Sequence, residues 1–240
     1  MASVAGPLNY KYNFVRSRHE VEKGKTIMQK LLVLALLFAV SAATQAADRF
    51  PIMAMEQMTP EQKTLVQGLV AGPRGGGDTS PEAIRAMLNR GPFNAWMRSP
   101  VLGDRLQKVG EYIRFNTSIP LRLNEFAILI TARHWTSQYE WYAHLPLALK
   151  AGLDPRIADE LAMNKRPAGK KEDEAAVYDF CIQLHRDKKV GDAAYKRAVA
   201  LFGEKGVVDL IGVSGYYTAV SMTLNVAEVP VPVGQKDPLQ

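Results

Sequence analysis

The sequence has a single cysteine, Cys181, among its 240 residues. One cysteine excludes an intramolecular disulfide, so packing or oligomerisation must hold the folded chain together. Cys181 lies in an apolar, periodic segment at residues 177–184. This position predicts a buried thiol that packs like a small hydrophobic residue.

The excess of basic residues comes mainly from the beginning of the chain. The whole sequence has 30 Lys and Arg against 24 Asp and Glu. Residues 1–46 hold six of the basic and two of the acidic residues, which leaves 24 basic and 22 acidic residues in the remainder. A nearly neutral remainder gives no electrostatic support to a nucleic-acid partner, so we expect none.

The apolar run near the N-terminus, LLVLALLFAV at residues 31–40, is short for a membrane span, which takes about 20 residues. Lys30 precedes the run and the small-residue stretch SAATQAA follows it. This pattern predicts a signal peptide at residues 28–46, with residues 1–27 as an upstream extension before the true initiator. We therefore expect a periplasmic or secreted protein without stable membrane insertion after cleavage. The alternative is an uncleaved N-terminal anchor.

Alternation of apolar and polar residues, which marks half-buried strands, is almost absent from the sequence. Thr59-Pro60-Glu61-Gln62 predicts a helix start with a capping box, and Asp154-Pro155 predicts another helix start. Further helices are predicted at residues 80–89, 101–115, 121–151, 173–186, 192–202 and 206–229. The fold class is therefore all-α.

The predicted helices divide the chain into an N-terminal helical arm with loops at residues 47–100, a helical domain at 101–230 and an irregular tail at 231–240. The last helix of the domain is strongly apolar. Its acidic residues, Asp209 and Glu228, and the lack of flanking charge clusters favour a core helix over a membrane span.

Four polar residues recur at helical spacing inside an apolar, aromatic segment, residues 126–151. Arg133, Ser137, Glu140 and His144 follow one another at steps of four, three and four. On a continuous helix they would lie within a stripe of roughly 60°. A stripe that faces a core is normally apolar, so these convergent polar groups indicate a site.

The segment EFAILITARHWTSQYEWYAH, residues 125–144, resembles the carboxymuconolactone decarboxylase family, which includes the alkylhydroperoxidase D-like proteins. The resemblance covers roughly residues 102–228 and implies an alkylhydroperoxidase D-like helical bundle that assembles as a trimer or hexamer. Alignment on Glu125 and His144 places Ser137 and Glu140 at the two cysteine positions of the peroxidase branch. A thiol peroxidase needs a nucleophilic and a resolving thiol, so this chain resembles the decarboxylase branch instead.

The resemblance implies decarboxylation or proton transfer on a small anionic substrate, similar to a carboxylated lactone, without metal or organic cofactor. His144 has the pKa range for proton delivery, and Glu140, one turn earlier, can fix its tautomer or raise its pKa. Glu125 completes the expected catalytic group by orienting a neighbouring side chain. The absent HExxH pattern argues against a metal site on this segment.

Three further residues are expected to bind the substrate. Arg133 is the candidate for bidentate binding of a carboxylate, Ser137 for a hydrogen bond to an oxyanion, and His134 for the pocket mouth. Each also has a structural alternative: a buried ion pair for Arg133, a helix cap or packing for Ser137, and a surface or structural role for His134.

The same residues bear on two other functions, of which one is disfavoured and one remains open. A hydrolase that uses Ser137, His144 and Glu140 is disfavoured because Ser137 and His144 would lie about 10 Å apart along one helix. A non-catalytic small-molecule-binding or scaffold protein remains the alternative, since His144 can also be a core histidine with satisfied hydrogen bonds.

Overall fold

The computed structural model describes residues 49–239. This range contains nine α-helices and one 3-10 turn, Met55–Gln57. No strand occurs within residues 49–239, which confirms the all-α class. The predicted extension and signal peptide, residues 1–46, lie outside the described residues. The helices are α1 Pro60–Ala71, α2 Pro81–Leu88, α3 Phe93–Trp96, α4 Pro100–Phe115, α5 Leu121–His134, α6 Gln138–Lys150, α7 Pro155–Ala162, α8 Glu172–Asp187 and α9 Asp192–Ala227.

Helix starts follow the capping signals in the sequence. The Thr59 hydroxyl accepts a hydrogen bond from the Gln62 amide, and the Gln62 side chain accepts one from the Thr59 amide, so the predicted capping box is confirmed. The Ser80 and Asp154 side chains also accept a backbone hydrogen bond at the starts of α2 and α7, without the reciprocal bond, and each precedes a proline at the first helical position.

Helix α5 is the centre of the core. Its residues 123–132 are all buried, and α6, α8 and α9 pack around it. A helix that is enclosed on every side has no need of a polar face, which explains the run of apolar residues in its sequence. Three polar residues in this run, Asn124, Glu125 and Thr131, therefore have to find partners inside the protein.

Helix α9 contains the two C-terminal helices that the sequence predicts, joined at a kink. Gly203 has a φ of 67°, a left-handed conformation that interrupts the helical backbone. Length and composition would allow α9 to cross a membrane, and 56% of its most apolar window is buried within the protein. The buried Asp209 lies on this helix and holds the segment before α5.

The predicted continuous helix over residues 121–151 is wrong at one place. Helix α5 ends at His134, Thr136 has a φ of 46°, and α6 begins at Gln138. The Thr136 amide donates to the Arg133 carbonyl and the Ser137 amide to the Ala132 carbonyl, so the turn supplies hydrogen bonds to backbone carbonyls at the end of α5. Residue 133 consequently lies on a different helix from residues 140 and 144, and residue 137 is the N-cap of α6.

Residues 231–239 form no helix, but they are anchored to the rest of the protein. Leu239 is buried, and its backbone amide and carbonyl form hydrogen bonds of 2.9 and 2.7 Å with the Gln138 side chain. The tail therefore packs against the start of α6, the helix that carries Glu140 and His144.

Candidate functional site

Helices α5 and α6 bring three titratable side chains together. Glu125 lies near the start of α5, and Glu140 and His144 lie one turn apart on α6. All three side chains are buried. The structure thus places the three residues expected to be catalytic in one cluster.

His144 lies between the two carboxylates. Its Nδ1 is 2.6 Å from Glu125 Oε2, and its Nε2 is 3.1 Å from Glu140 Oε1. The first contact is a hydrogen bond, whereas the second is an ion-pair contact in which Glu140 Oε1 lacks a well-aligned hydrogen-bond donor. Glu125 therefore fixes the imidazole orientation, and Nε2 keeps hydrogen-bonding capacity.

The two carboxylates keep His144 protonated. Burial by itself lowers the pKa of His144, but the negative charge of Glu140 and the hydrogen bond to Glu125 outweigh it and raise this pKa to about 9. A buried imidazolium is stable only beside such partners. At neutral pH the cluster consequently holds a proton that a reaction can use.

A cavity of about 270 Å³ lies beside this cluster. Glu140 and His144 form part of its wall, and Glu125 does not. Glu125, the partner of Nδ1, does not line the cavity, whereas Glu140, the residue next to Nε2, does. The apolar part of the wall consists mainly of Met87, Pro92, Phe93, Phe115, Ala143 and Val220.

Three arginines line the same cavity. Arg74 lies in the loop after α1, Arg90 follows α2, and Arg114 lies in the last turn of α4. They lie far apart in the sequence, and no local motif distinguishes them from other arginines, so the sequence does not predict them as site residues. The folded chain nevertheless gives the cavity a positive wall.

Two tyrosines of α9 complete the wall next to His144. The Tyr217 ring meets the His144 ring edge to face at 5.0 Å, and the Tyr216 ring lies 5.1 Å from Tyr217. Burial raises the pKa of Tyr216 to about 12 and that of Tyr217 well above its ordinary value. Both phenols are thus neutral at physiological pH, so they add hydrogen-bonding groups to the wall without adding charge.

The three residues expected to bind substrate do not line this cavity. Arg133 is half-buried at the end of α5, and His134 is exposed. Ser137 is buried, caps α6 without a side-chain hydrogen bond, and lies beside a different groove of about 380 Å³ near the C-terminal tail. None of the three residues is therefore placed to contact a ligand in the cavity beside Glu140 and His144.

His134 forms a pair with His185, apart from the cluster of His144. Its ring stacks on the His185 ring at 4.9 Å, and His185 Nε2 lies 2.9 Å from the Thr131 hydroxyl. Burial, followed by the charges of His134 and Lys188, lowers the pKa of His185 to about 4. A neutral, hydrogen-bonded His185 is a structural histidine, and His134 covers it.

The described part of the chain has neither an exposed thiol nor a group of side chains suited to bind a metal ion. Cys181 is buried and receives a hydrogen bond from the Ser214 hydroxyl at 3.7 Å, and burial raises the pKa of its thiol to about 12. Such a thiol is a poor nucleophile. Between residues 49 and 239, no three His, Cys, Asp or Glu side chains are arranged to hold a metal ion.

Comparisons with known proteins assign no function to this chain, because neither a family model nor a curated protein matches it.

Proposed function

We propose that this chain is an exported, carboxymuconolactone decarboxylase-like protein that performs cofactor-free decarboxylation or proton transfer on a small anionic substrate, such as a carboxylated lactone. One observation carries the proposal. His144, protonated at neutral pH, lies between Glu125 and Glu140 on the wall of a cavity. The sequence resemblance supports the same chemistry and assigns the same three residues.

The proposed reaction breaks a carbon–carboxylate bond. The electron pair of that bond stays on the substrate carbon as CO₂ leaves, and an adjacent lactone carbonyl delocalises it as an enolate. The His144 imidazolium then gives a proton to the carbon, which leaves a neutral imidazole that takes a new proton from water. General acid catalysis of this kind contributes about a hundredfold or more to a rate.

Each member of the cluster has a defined role in this proposal. Glu125 holds Nδ1–H and with it the orientation of the ring, because it binds His144 from outside the cavity. Glu140 stabilises the imidazolium and lies on the cavity side, where its charge also opposes a wrongly placed carboxylate. His144 delivers the proton through Nε2.

The lining of the cavity supports an anionic substrate. Arg74, Arg90 and Arg114 supply guanidinium groups, which bind carboxylates well. In this proposal they bind the substrate carboxylate, the role that the sequence predicts for Arg133. The surrounding apolar side chains lower the polarity of the wall, which strengthens electrostatic interactions there.

A homo-oligomer, a trimer or hexamer, is part of the same proposal. On α9, Val208, Ile211, Met222 and Val226 are all exposed, with exposed fractions between 47% and 65%. They lie within about 60° of one another around the helix, so they form one uncharged stripe. Such a stripe is suited to packing against a second copy. Light scattering coupled to gel filtration tests this, and a monomer at all concentrations would contradict it.

The test of the activity is a screen of carboxylated lactones and β-keto acids in D₂O. We expect wild-type protein to release CO₂ and to place deuterium on the carbon that carried the carboxylate. His144→Gln should lower the rate by about a hundredfold, while His134→Gln should leave it unchanged.

The screen also separates the enzyme from its alternative. Equal rates for wild type and His144→Gln would remove His144 from the mechanism. Folded wild-type protein that turns over none of the substrates, yet binds them in calorimetry, would favour the non-catalytic binding protein.

A further inference from the structure

One role in the proposed reaction is left without a residue, the hydrogen bond to the developing oxyanion. As the carboxylate leaves, negative charge builds up on the carbonyl oxygen beside the reacting carbon, and a fixed hydrogen-bond donor there lowers the barrier. The sequence predicts Ser137 for this bond, but Ser137 does not line the cavity. His144 delivers its proton to the carbon, so the oxygen needs another donor from the cavity wall.

Tyr217 of α9 lies next to the proton donor. Its ring meets the His144 ring edge to face, with 5.0 Å between the ring centres and 80° between the ring planes. Both residues line the cavity, and the exposed fraction of Tyr217 is only 3%. A ligand that takes a proton from His144 is therefore also beside Tyr217.

The Tyr217 hydroxyl forms no hydrogen bond with another residue in the range 49–239. The Tyr112 hydroxyl, by comparison, donates to Asp209 Oδ1 at 3.2 Å. Buried hydroxyl groups normally have a partner. The unpaired side-chain atoms that are fully enclosed in this range include Ser137 Oγ but not the Tyr217 hydroxyl. This hydroxyl therefore keeps an open side, and its residue borders the cavity.

The surroundings of Tyr217 keep its hydroxyl in the donating form. Burial, and then the negative charge of Glu140, raise the pKa of Tyr217 well above its ordinary value. A phenol that stays protonated can donate a hydrogen bond without giving up its proton. The phenol therefore does not compete with His144 as the source of the transferred proton.

The other polar groups of the wall are less suited to the enolate oxygen. The carboxylate of Glu140 would repel it, and the arginines of the wall bind the substrate carboxylate in the proposed reaction. The Tyr216 hydroxyl lies against Gly110 of α4, where an added Cβ would meet it at 2.0 Å and Arg74 Nη2 at 2.6 Å. Tyr217 is thus the uncharged donor that stands closest to the acid–base cluster.

We propose that the Tyr217 hydroxyl is a catalytic group that donates a hydrogen bond to the enolate oxygen as the carboxylate leaves. The inference rests on the proposed function, because it completes the same reaction. The electron pair of the broken carbon–carboxylate bond moves onto the carbonyl oxygen, and Tyr217 shares its proton with that oxygen without transferring it. The pair then returns to the carbon and binds the proton from His144.

Binding of para-nitrophenol tests the inference without turnover. Its phenolate carries negative charge on an oxygen as the enolate does, and its visible absorption shows how much of the bound probe is ionised. We expect wild type to bind the phenolate and to lower the pKa of the bound probe below that of the free probe. Tyr217→Phe, which removes only the hydroxyl, should bind the phenolate about tenfold more weakly. Wild type that binds no phenolate, or wild-type affinity in Tyr217→Phe, would overturn the inference.

Two controls separate the hydroxyl from the shape of the cavity. The neutral analogue para-nitrotoluene should bind equally to wild type and Tyr217→Phe, and an equal loss of affinity for both probes would overturn the inference. Tyr195 is an exposed tyrosine of the same helix and does not line the cavity. Tyr195→Phe should therefore bind the phenolate as wild type does, and equal losses in both tyrosine variants would also overturn the inference.

Reaction rates separate this inference from the proposed function. On any substrate that the D₂O screen identifies, Tyr217→Phe should lower kcat about a hundredfold with little change in KM, because the bond strengthens only as charge develops. Turnover that depends on His144 but not on Tyr217 would keep the enzyme and remove this inference. Tyr217-dependent binding of the phenolate without turnover of any substrate would remove the enzyme and keep Tyr217 as the oxyanion donor of a binding protein.

Discussion

His144 Nδ1 lies 2.6 Å from Glu125 Oε2, and this hydrogen bond connects α6 to the central helix α5. Burial lowers the pKa of His144, but Glu140 and Glu125 together raise it to about 9, compared with 6.5 for an ordinary histidine. Folding therefore takes up a proton at this residue when the pH lies between these two values. The same contact that orients the imidazole thus links the stability of the protein to pH.

The sign of this linkage gives the first prediction. The stabilisation by the charged His144 is fully present below pH 6.5 and is lost as the pH rises through about 9. We expect the free energy of unfolding of wild type to fall across this interval by an amount on the order of 3 kcal/mol. Urea denaturation at a series of pH values measures it.

Two variants control this pH experiment. In His144→Gln the contribution of the imidazole disappears, so the free energy of unfolding should depend much less on pH between 6.5 and 9. His134→Gln, which changes an exposed histidine outside the cluster, should keep the wild-type slope. If wild type and His144→Gln show the same pH dependence, His144 does not carry a raised pKa.

The sequence predicts the acid–base cluster well because its two members on α6 are four residues apart. Within one helix, spacing alone brings Glu140 and His144 to the same face. Glu125 lies on another helix, and only the resemblance to a family pointed to it. Periodicity fails where the backbone changes direction. The left-handed Thr136 lies between Arg133 and the helix of Glu140 and His144, so Arg133 does not share the face that its spacing predicts.

The arginines of the cavity show a different limit of sequence reasoning. Arg74, Arg90 and Arg114 approach one another only through the packing of α1, α2 and α4 against the rest of the chain. No pattern along the sequence encodes that packing. Arg133, by contrast, lies in the apolar segment where a charge attracts notice, although it does not line the cavity. Local signals such as the Thr59 capping box predict helix ends, whereas the partners of a charged side chain depend on tertiary structure.

Ser137 and Thr59 provide a second prediction, because both are cap residues and only one makes the capping bond. The Ser137 hydroxyl is buried without a hydrogen-bond partner, whereas the Thr59 hydroxyl accepts from the Gln62 amide. Ser137→Ala should leave stability unchanged or raise it slightly, since it removes an unsatisfied buried group. Thr59→Ala should lower the free energy of unfolding by about 1 kcal/mol. Thermal unfolding of both variants decides it, and a larger loss for Ser137→Ala would contradict the geometry.

Asp209 supports a third prediction, since it holds the segment before α5 in place. It accepts hydrogen bonds from the Ser118 amide and hydroxyl at 2.8 and 2.7 Å, and it pairs with Lys205 at 2.8 Å. Burial by itself raises the pKa of Asp209, but the hydrogen bonds from Lys205 and Ser118 lower it below its ordinary value. Its stabilisation is therefore present above the ordinary pKa and is lost as the pH falls.

Removal of this buried carboxylate should be costly. Asp209→Ala leaves the Ser118 amide without its acceptor, so we expect the free energy of unfolding to fall by about 3 kcal/mol at neutral pH. Asp104→Ala removes a carboxylate that pairs with the exposed Lys108, and its cost should stay below about 1 kcal/mol. Denaturation at neutral pH compares the two, and equal costs would show that the Asp209 network contributes no more than a surface pair.

Gly110 gives a fourth prediction that connects packing to the cavity. A Cβ at this position would lie 2.0 Å from the Tyr216 hydroxyl and 2.6 Å from Arg74 Nη2. Both groups belong to residues of the cavity wall, and neither distance is compatible with a methyl group. Gly110→Ala should therefore displace Tyr216 and Arg74 and lower the free energy of unfolding by about 1–3 kcal/mol.

Gly215 is the matched control for this substitution, because it is also a glycine inside a helix. A Cβ there meets no atom within 4 Å, so Gly215→Ala should stabilise the helix by several tenths of a kcal/mol in the free energy of unfolding. Urea denaturation of both variants provides the measurement. Wild-type stability in Gly110→Ala would mean that Tyr216 and Arg74 do not pack against this glycine.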